Sequence, residues 1–200
     1  PTLKVPLKDG TETRMATFVP FGFAGATGEN YKIWLNAFGT KVAATPSLLS
    51  SGEESRSRTG NANGSINDYD KDTFVVTFDN TKKPEDWYAI TLPKQTKIQK
   101  VVYAHGKSFH DGGWFDSTTG KPRIEVQETL GGAWKQVGVL ETYPDTTATD
   151  SKGLKSGEMF TLNLTTPLKI VAIRVIGTPA SGDNLNQSFS SCAELQAFFK

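Results

Sequence analysis

At 200 residues the chain has the length of one ordinary domain, and its 36 % hydrophobic and 22 % charged residues provide enough apolar mass for a real core, which excludes disorder over most of its length. Lys and Arg number 22 against 21 Asp and Glu, a formal net charge of +1, and no basic run exceeds Lys82-Lys83, so no strong general field draws in nucleic acid or anionic lipid. No stretch nears the roughly 18 apolar residues that span a bilayer.

One cysteine, Cys192, makes no internal disulfide, and with only His105 and His110 beside it a thiolate zinc cluster is excluded; the redox compartment stays open. The chain starts at Pro1 with no charged-then-apolar leader, which reads as a mature or excised piece of a longer protein. Residues 1–42 are expected to be extra N-terminal strands or the tail of a preceding domain. Within them Phe18 to Gly28 is apolar and glycine-rich, and Tyr31 to Leu35 alternates like a strand. Residues 43–200 are expected to form one sandwich.

The polar stretch Glu53 to Arg58 reads as a loop, in which Arg58 either belongs to a solvated charge cluster or donates to a ligand hydroxyl. Ser65 to Thr73 then sets Asp68, Asp70, Asp72 and the Thr73 hydroxyl in one tight turn. A hard cation such as Ca²⁺ takes six to eight oxygens at short range, and such a turn offers carboxylates and carbonyls together. A solvated acidic turn is the other reading, since the glycine and terminal glutamate of an EF-hand loop are missing.

Strands are predicted over Thr73–Phe78, Trp87–Leu92, Ile98–Ala104, Arg123–Glu128, Trp134–Leu140, Met159–Leu164, Ile170–Ile176 and Glu194–Phe199, runs rich in β-branched and aromatic residues. Alternation in Phe160-Thr161-Leu162-Asn163-Leu164 and Ile124-Glu125-Val126-Gln127 gives each strand one packed and one wet face. Gly131-Gly132 predicts a hairpin connection, because glycine reaches the positive φ such turns need. The Thr/Ser/Asp/Gly-rich stretches between Tyr143 and Gly157 and between Thr178 and Asn186, the latter with Asn184 as a turn residue, are surface loops. Trp87 and Trp134 are expected in the core, and Cys192 as a small buried hydrophobe. With no long amphipathic helix, these cues predict an all-β antiparallel sandwich.

The loop Ser108 to Asp116 concentrates the remaining chemistry. His110, Asp111, Trp114, Phe115 and Asp116 stand around Gly112-Gly113. Aromatic rings beside paired polar groups suit a sugar, whose C–H face stacks while its hydroxyls take hydrogen bonds. The alternative is that Trp114 and Phe115 plug the end of the sandwich. Asp111 and Asp116 are also a carboxylate pair, but no spacing sets them across a scissile bond, and no GxSxG, HExxH or phosphate-binding glycine loop is present. Binding is therefore favoured over catalysis.

Asn67 to Phe74, the strand entry Asp86 to Leu92 and the closing Phe189 to Leu195 together resemble the discoidin, or coagulation-factor type C, fold over roughly residues 43 to 200. Within it the chain is most similar to bacterial family 32 carbohydrate-binding modules and the galactose-binding domain of galactose oxidase. The resemblance implies a jelly-roll sandwich with one structural Ca²⁺. Its ligands would be carbonyls of Ser65, Asp70 and Ala193, carboxylates of Asp68 and Glu194, and carbonyl and hydroxyl of Thr73. Tyr69 stands where the family usually has glycine. The resemblance also implies sugar binding by end loops, with Phe189 beside the sugar. Thr17 to Phe21 and Gly25 to Leu35 faintly resemble the closing strands of family 127-type glycoside hydrolases, which act on β-L-arabinofuranosides. Taken together these imply a monomeric, non-catalytic bacterial module, secreted, periplasmic or at the cell surface. It would tether a covalently attached glycoside hydrolase to a polysaccharide bearing galactose- or arabinose-type sugars. A protein- or lipid-binding discoidin adhesion domain is the alternative.

Overall fold

The structure is a computed structural model that describes residues 4–6, 12–14, 47–58 and 64–199. The chain divides into two compact units, Pro1–Pro46 and Ser47–Lys200. In the first, β1 (Lys4–Pro6) pairs antiparallel with β2 (Glu12–Arg14). The segments 18–28 and 31–35 lie outside the described residues.

The second unit contains β3 (Gly52–Ser55), β4 (Val75–Val76), β5 (Asp86–His105), β6 (Phe115–Asp116), β7 (Arg123–Gln127), β8 (Lys135–Val139), β9 (Met159–Pro179) and β10 (Ser191–Phe198). All its ladders are antiparallel, in the order β4-β10-β5-β9-β7-β8, with β3 also on β5 and β6 on β9. Two long strands make this arrangement possible. β5 and β9, 20 and 21 residues long, pair throughout with register shifts between Thr91 and Thr96 and between Ile98 and Lys100. The first half of β5 carries β3 and the second half of β9, which in turn carries β7. The second half of β5 carries β10 and the first half of β9. Extra residues at the shifts bend the ladder, so one pair of strands serves both layers of the sandwich.

Between the layers lie Tyr88, Ile90, Ile98, Val101 and Tyr103 of β5, Phe160, Ile173 and Val175 of β9, Ile124 and Val126 of β7 and Leu195 of β10. The rings of Tyr103, Phe115, Tyr143 and Phe160 meet at centroid separations of 4.8 to 6.4 Å. Each buried phenol is satisfied: Tyr103 donates to the Ser191 carbonyl (2.7 Å), and Tyr143 accepts from the Phe115 amide (3.0 Å).

Several expectations change. The predicted runs 87–92 and 98–104 are one strand, as are 159–164 and 170–176, because Pro93-Lys94-Gln95 and Thr165-Thr166-Pro167 are absorbed as bulges instead of turns. β3 forms within a stretch read as loop, its polar side chains suiting a strand laid along the edge of β5. Trp87 and Trp134 are half-buried and not in the core; Trp134 lies under the Arg174 guanidinium, 4.5 Å from the ring centroid. Glu125, expected on a wet face, is buried between Arg123 (2.9 Å) and Arg174 (2.8 Å). Cys192 is buried as expected.

A densely connected polar group is Asp86, with no exposed surface, at the start of β5. One oxygen accepts from Arg56 Nε; the other accepts from the Thr77 hydroxyl and from the amide (2.8 Å) and hydroxyl (2.7 Å) of Ser190. Arg56 also bonds Asp79 (2.6 Å) and the Thr77 carbonyl (2.7 Å). Four chain segments are thereby tied at one carboxylate, and removing it strands a largely buried guanidinium and three further donors. Asp86→Ala is expected to lower unfolding free energy by roughly 3–5 kcal/mol. Urea denaturation checks this, and a loss below about 1 kcal/mol would contradict the assignment.

Candidate functional site

The loop that carries His110 is built on a tight turn and a seam. The Phe109 amide donates to the Gly112 carbonyl (2.8 Å), and the Gly113 amide to the Phe189 carbonyl (2.9 Å). The Ser191 hydroxyl accepts from the Lys107 amide (2.7 Å) and lies 2.7 Å from the Gly113 carbonyl. Glycine is obligatory at several positions here. At Gly112 (φ 139°) an added Cβ would come within 2.7 Å of the Phe189 ring, and at Gly182 (φ 59°) within 2.2 Å of the His110 carbonyl. Across the seam Asp183 donates its amide to that same carbonyl (2.9 Å), so the 108–113 and 180–190 loops form one rim.

Below the rim is a groove of about 320 Å³ lined, among the described residues, by Phe74, Val76, Phe78, Phe109, Asp111 and Phe189. Its rings meet edge to face or tilted: Phe78 with Phe189 at 5.1 Å, Phe109 with Phe189 at 6.0 Å and Phe74 with Phe109 at 6.2 Å. Polar groups sit at one side. Asp111 Oδ2 accepts from the buried Gln187 amide (2.8 Å), and the exposed His110 places Nδ1 2.9 Å from Asp183 Oδ2. The hydrogen bond and charge of Asp183, then the charge of Asp111, hold His110 above its ordinary pKa. An apolar wall with a few convergent donors and acceptors can grip a small amphiphilic ring.

The structure divides the residues expected here. Phe189, Asp111 and His110 are at the groove or its rim. Trp114 and Phe115 are not: both are buried in the core, 3 % and 0 % exposed, with the Trp114 indole donating to the Thr147 carbonyl (2.8 Å). They have no ring face to offer a ligand, because the seam with β9 turns this part of the loop inward. Asp116 is also buried and closes a turn on Thr118 (2.9 Å). Arg58 is held beside the acidic turn, donating to the Gly64 carbonyl near Glu53. Sequence reasoning missed Phe74, Phe78, Phe109, Asp183 and Gln187. Phe109 stood inside the singled-out loop, and its aromatic character was the available signal. Asp183→Asn is expected to lower the His110 pKa toward its ordinary value, followed as ring-proton shifts in an NMR pH titration; an unchanged midpoint would deny the pair.

The acidic turn lies against β10. The Asp68 amide donates to Glu194 Oε1 (3.1 Å), Asp70 to Asp68 Oδ1 (3.0 Å), and the Thr73 hydroxyl to the Asp70 carbonyl (3.2 Å). The Asn67 side chain and the Ile66 carbonyl clamp Leu195 (2.9 and 2.6 Å). Glu194 is 1 % exposed, and burial with the adjacent Asp68 carboxylate pushes its carboxyl up to about 8. Ala193 is the extra residue of a bulge between Cys192 and Glu194, which takes it out of the β5 ladder. The Ser65 hydroxyl bonds Glu53. Tyr69 takes φ 67°, the left-handed region in which its side chain is strained, and is held there by its hydroxyl on the Ser47 carbonyl (2.6 Å). Among the described residues no three or more His, Cys, Asp or Glu converge as a ready metal cluster. A cation here would rest on two carboxylates and otherwise on carbonyls and a hydroxyl. The residues fit a hard cation on those terms, since two adjacent carboxylates, one buried, face each other with no Lys or Arg among their hydrogen-bond partners in the described residues.

No family model and no curated protein matches the chain. Solved structures do. It superposes on the family 32 carbohydrate-binding module of C. perfringens NanJ in complex with galactose at TM-score 0.53 and 17 % identity, covering 76 % of this chain and 97 % of that one. Chitosan-binding module 1 from a chitosanase/glucanase of Paenibacillus sp. IK-5 gives 0.52 and 14 %, covering 78 % and 99 %. The first such module of a Clostridium perfringens family 31 glycoside hydrolase gives 0.51 and 14 %, covering 75 % and 96 %. The chain therefore has the galactose-binding-like β-sandwich fold of family 32 modules. Among the described residues no helix is long and apolar enough to cross a membrane.

Proposed function

We propose that the sandwich is a non-catalytic carbohydrate-binding module whose site is the phenylalanine groove with Asp111 and the His110–Asp183 pair at its rim. The observation that carries this is the juxtaposition of ring surface with a short polar row fixed by partners of its own. A sugar's C–H face lies against Phe109 and Phe189, while Asp111 and His110 take ring hydroxyls. The sugars named for the modules sharing this fold support the class. Galactose- and arabinose-type sugars are the first to try. The site does no chemistry of its own; it holds an attached bacterial glycoside hydrolase on a polysaccharide outside the cell, raising the local concentration of cleavable bonds, with avidity from repeated sites. A lipid-binding reading wants apolar spikes beside basic residues, and the exposed Leu185 at the rim stands instead between Asn184 and Asn186.

With few hydroxyl partners against the loss of hydration and rigid-body freedom, dissociation constants of ~0.1–1 mM, roughly −4 to −5.5 kcal/mol, are expected. Calorimetric titration with galactose, arabinose and plant oligosaccharides tests it. Phe109→Ala should weaken binding about tenfold by removing a ring contact worth about 1–1.5 kcal/mol. Affinity untouched by Phe109→Ala, or no sugar bound at all, sinks the assignment.

A structural Ca²⁺ belongs to the same reading. Asp68 and Glu194 would hold it by their carboxylates, Ser65, Asp70 and Ala193 by carbonyls, and Thr73 by carbonyl and hydroxyl. When bound, the ion supplies the positive charge that two apposed carboxylates lack. Binding only the folded state, it adds to stability by mass action. Chelation is expected to lower the melting temperature of the wild type and to leave Asp68→Ala unmoved; a wild-type melt indifferent to chelator would remove the ion.

A further inference from the structure

Among the described residues that line the groove, the one carboxylate has a neutral partner. Asp111 is fixed by the amide of Gln187, itself 6 % exposed, and none of the ion pairs among the described residues includes it; the nearby His110 is engaged with Asp183. Asp111 thus presents a negative charge with no direct ion-pair partner among the described residues on a wall of phenylalanine rings. Such a wall welcomes a cation on its own account, because the face of a benzene ring is electronegative. The protein already shows this at the site: Lys107 places its ammonium 5.4 Å from the Phe109 centroid. A neutral hydroxyl would use neither the charge nor the ring quadrupole fully, whereas an ammonium uses both.

We propose, on the basis of the carbohydrate reading above, that the groove selects a sugar bearing a free amine, with the ammonium against Asp111 and the Phe109 ring, over the same sugar in its hydroxyl or N-acetylated form. Acetylation removes the charge and adds bulk, so the N-acetyl sugar loses both attractions. Lys107 is a competitor for the same ring face and repels a cationic guest; its removal favours the amine. His110 carries a like charge when protonated, but with Asp183 as its counter-ion.

The experiment is a set of NMR titrations of the whole chain with galactosamine, N-acetylgalactosamine and galactose, at a pH below the amine's own pKa and at low and high salt. Galactosamine is expected to bind about tenfold tighter than galactose at low salt, the gain of one partly solvated charge pair with a cation–ring contact. The ratio should fall as salt is added, collapse toward one in Asp111→Asn, and widen in Lys107→Gln. Galactose bound as tightly as galactosamine overturns the amine preference while leaving the carbohydrate reading intact. No binding by any of the three overturns both. A preference that survives in Asp111→Asn, or fails to widen in Lys107→Gln, also contradicts the proposal, and the two variants give independent readings should either fold poorly.

Discussion

Everything at the loop end of this sandwich hangs on a carboxylate that water never reaches. Asp86 opens the strand that runs through both layers, and its two oxygens collect Arg56 from the end of β3, Thr77 after β4 and Ser190 ahead of β10. A buried charge left unpaired costs several kcal/mol, so the donors cannot drift independently. Ser190 is also bridged to Gly113, and its neighbour Phe189 forms a wall of the groove. Fixing Ser190 therefore fixes where the 108–113 loop docks. The stability of the fold and the shape of the site share this one junction.

The opposite economy governs the groove. Its rings pack on one another beside Val76, so the wall is formed without a guest. Preorganisation of this kind lowers the ordering cost of binding, and it lets a small contact area give useful affinity. The acidic turn leads directly into Phe74, a wall of the groove. It seals the outer edge of β10 through Asn67, Ile66 and Asp68, and Tyr69 and Asn67 extend the same bonding to Ser47 and Ser50. A strained Tyr69 backbone persists because these bonds over-determine it.

How much of this was legible in the sequence follows from which forces were local. Strand periodicity in Phe160 to Leu164 and the glycine pair at 131–132 are local signals, and both elements formed where expected. The bulges that weld two predicted strands into β5 and two into β9 are not local: Pro93 and Pro167 normally punctuate, and only the partner strand lets them be absorbed. β3 was invisible for the same reason, its polar residues becoming a strand because β5 offers an edge. At the site, the loop was found but its facing was not. Trp114 looked like the stacking residue because tryptophan so often is, yet the pairing of β6 with β9 turns it inward and leaves the smaller Phe109 and the distant Phe189 to line the groove. Contacts across 73 and 76 residues, His110 with Asp183 and Asp111 with Gln187, leave no trace in spacing.

The central claim is that a sugar sits on the phenylalanine wall beneath the His110–Asp183 rim. The most direct measurement is of intermolecular NOEs between an added galactosyl ligand and the chain with its Phe and Trp rings selectively labelled. The account predicts contacts from the sugar's C–H protons to Phe109 and Phe189 and none to Trp114. Cross-peaks confined to the half-buried Trp87 or Trp134, or to no ring at all, would contradict it.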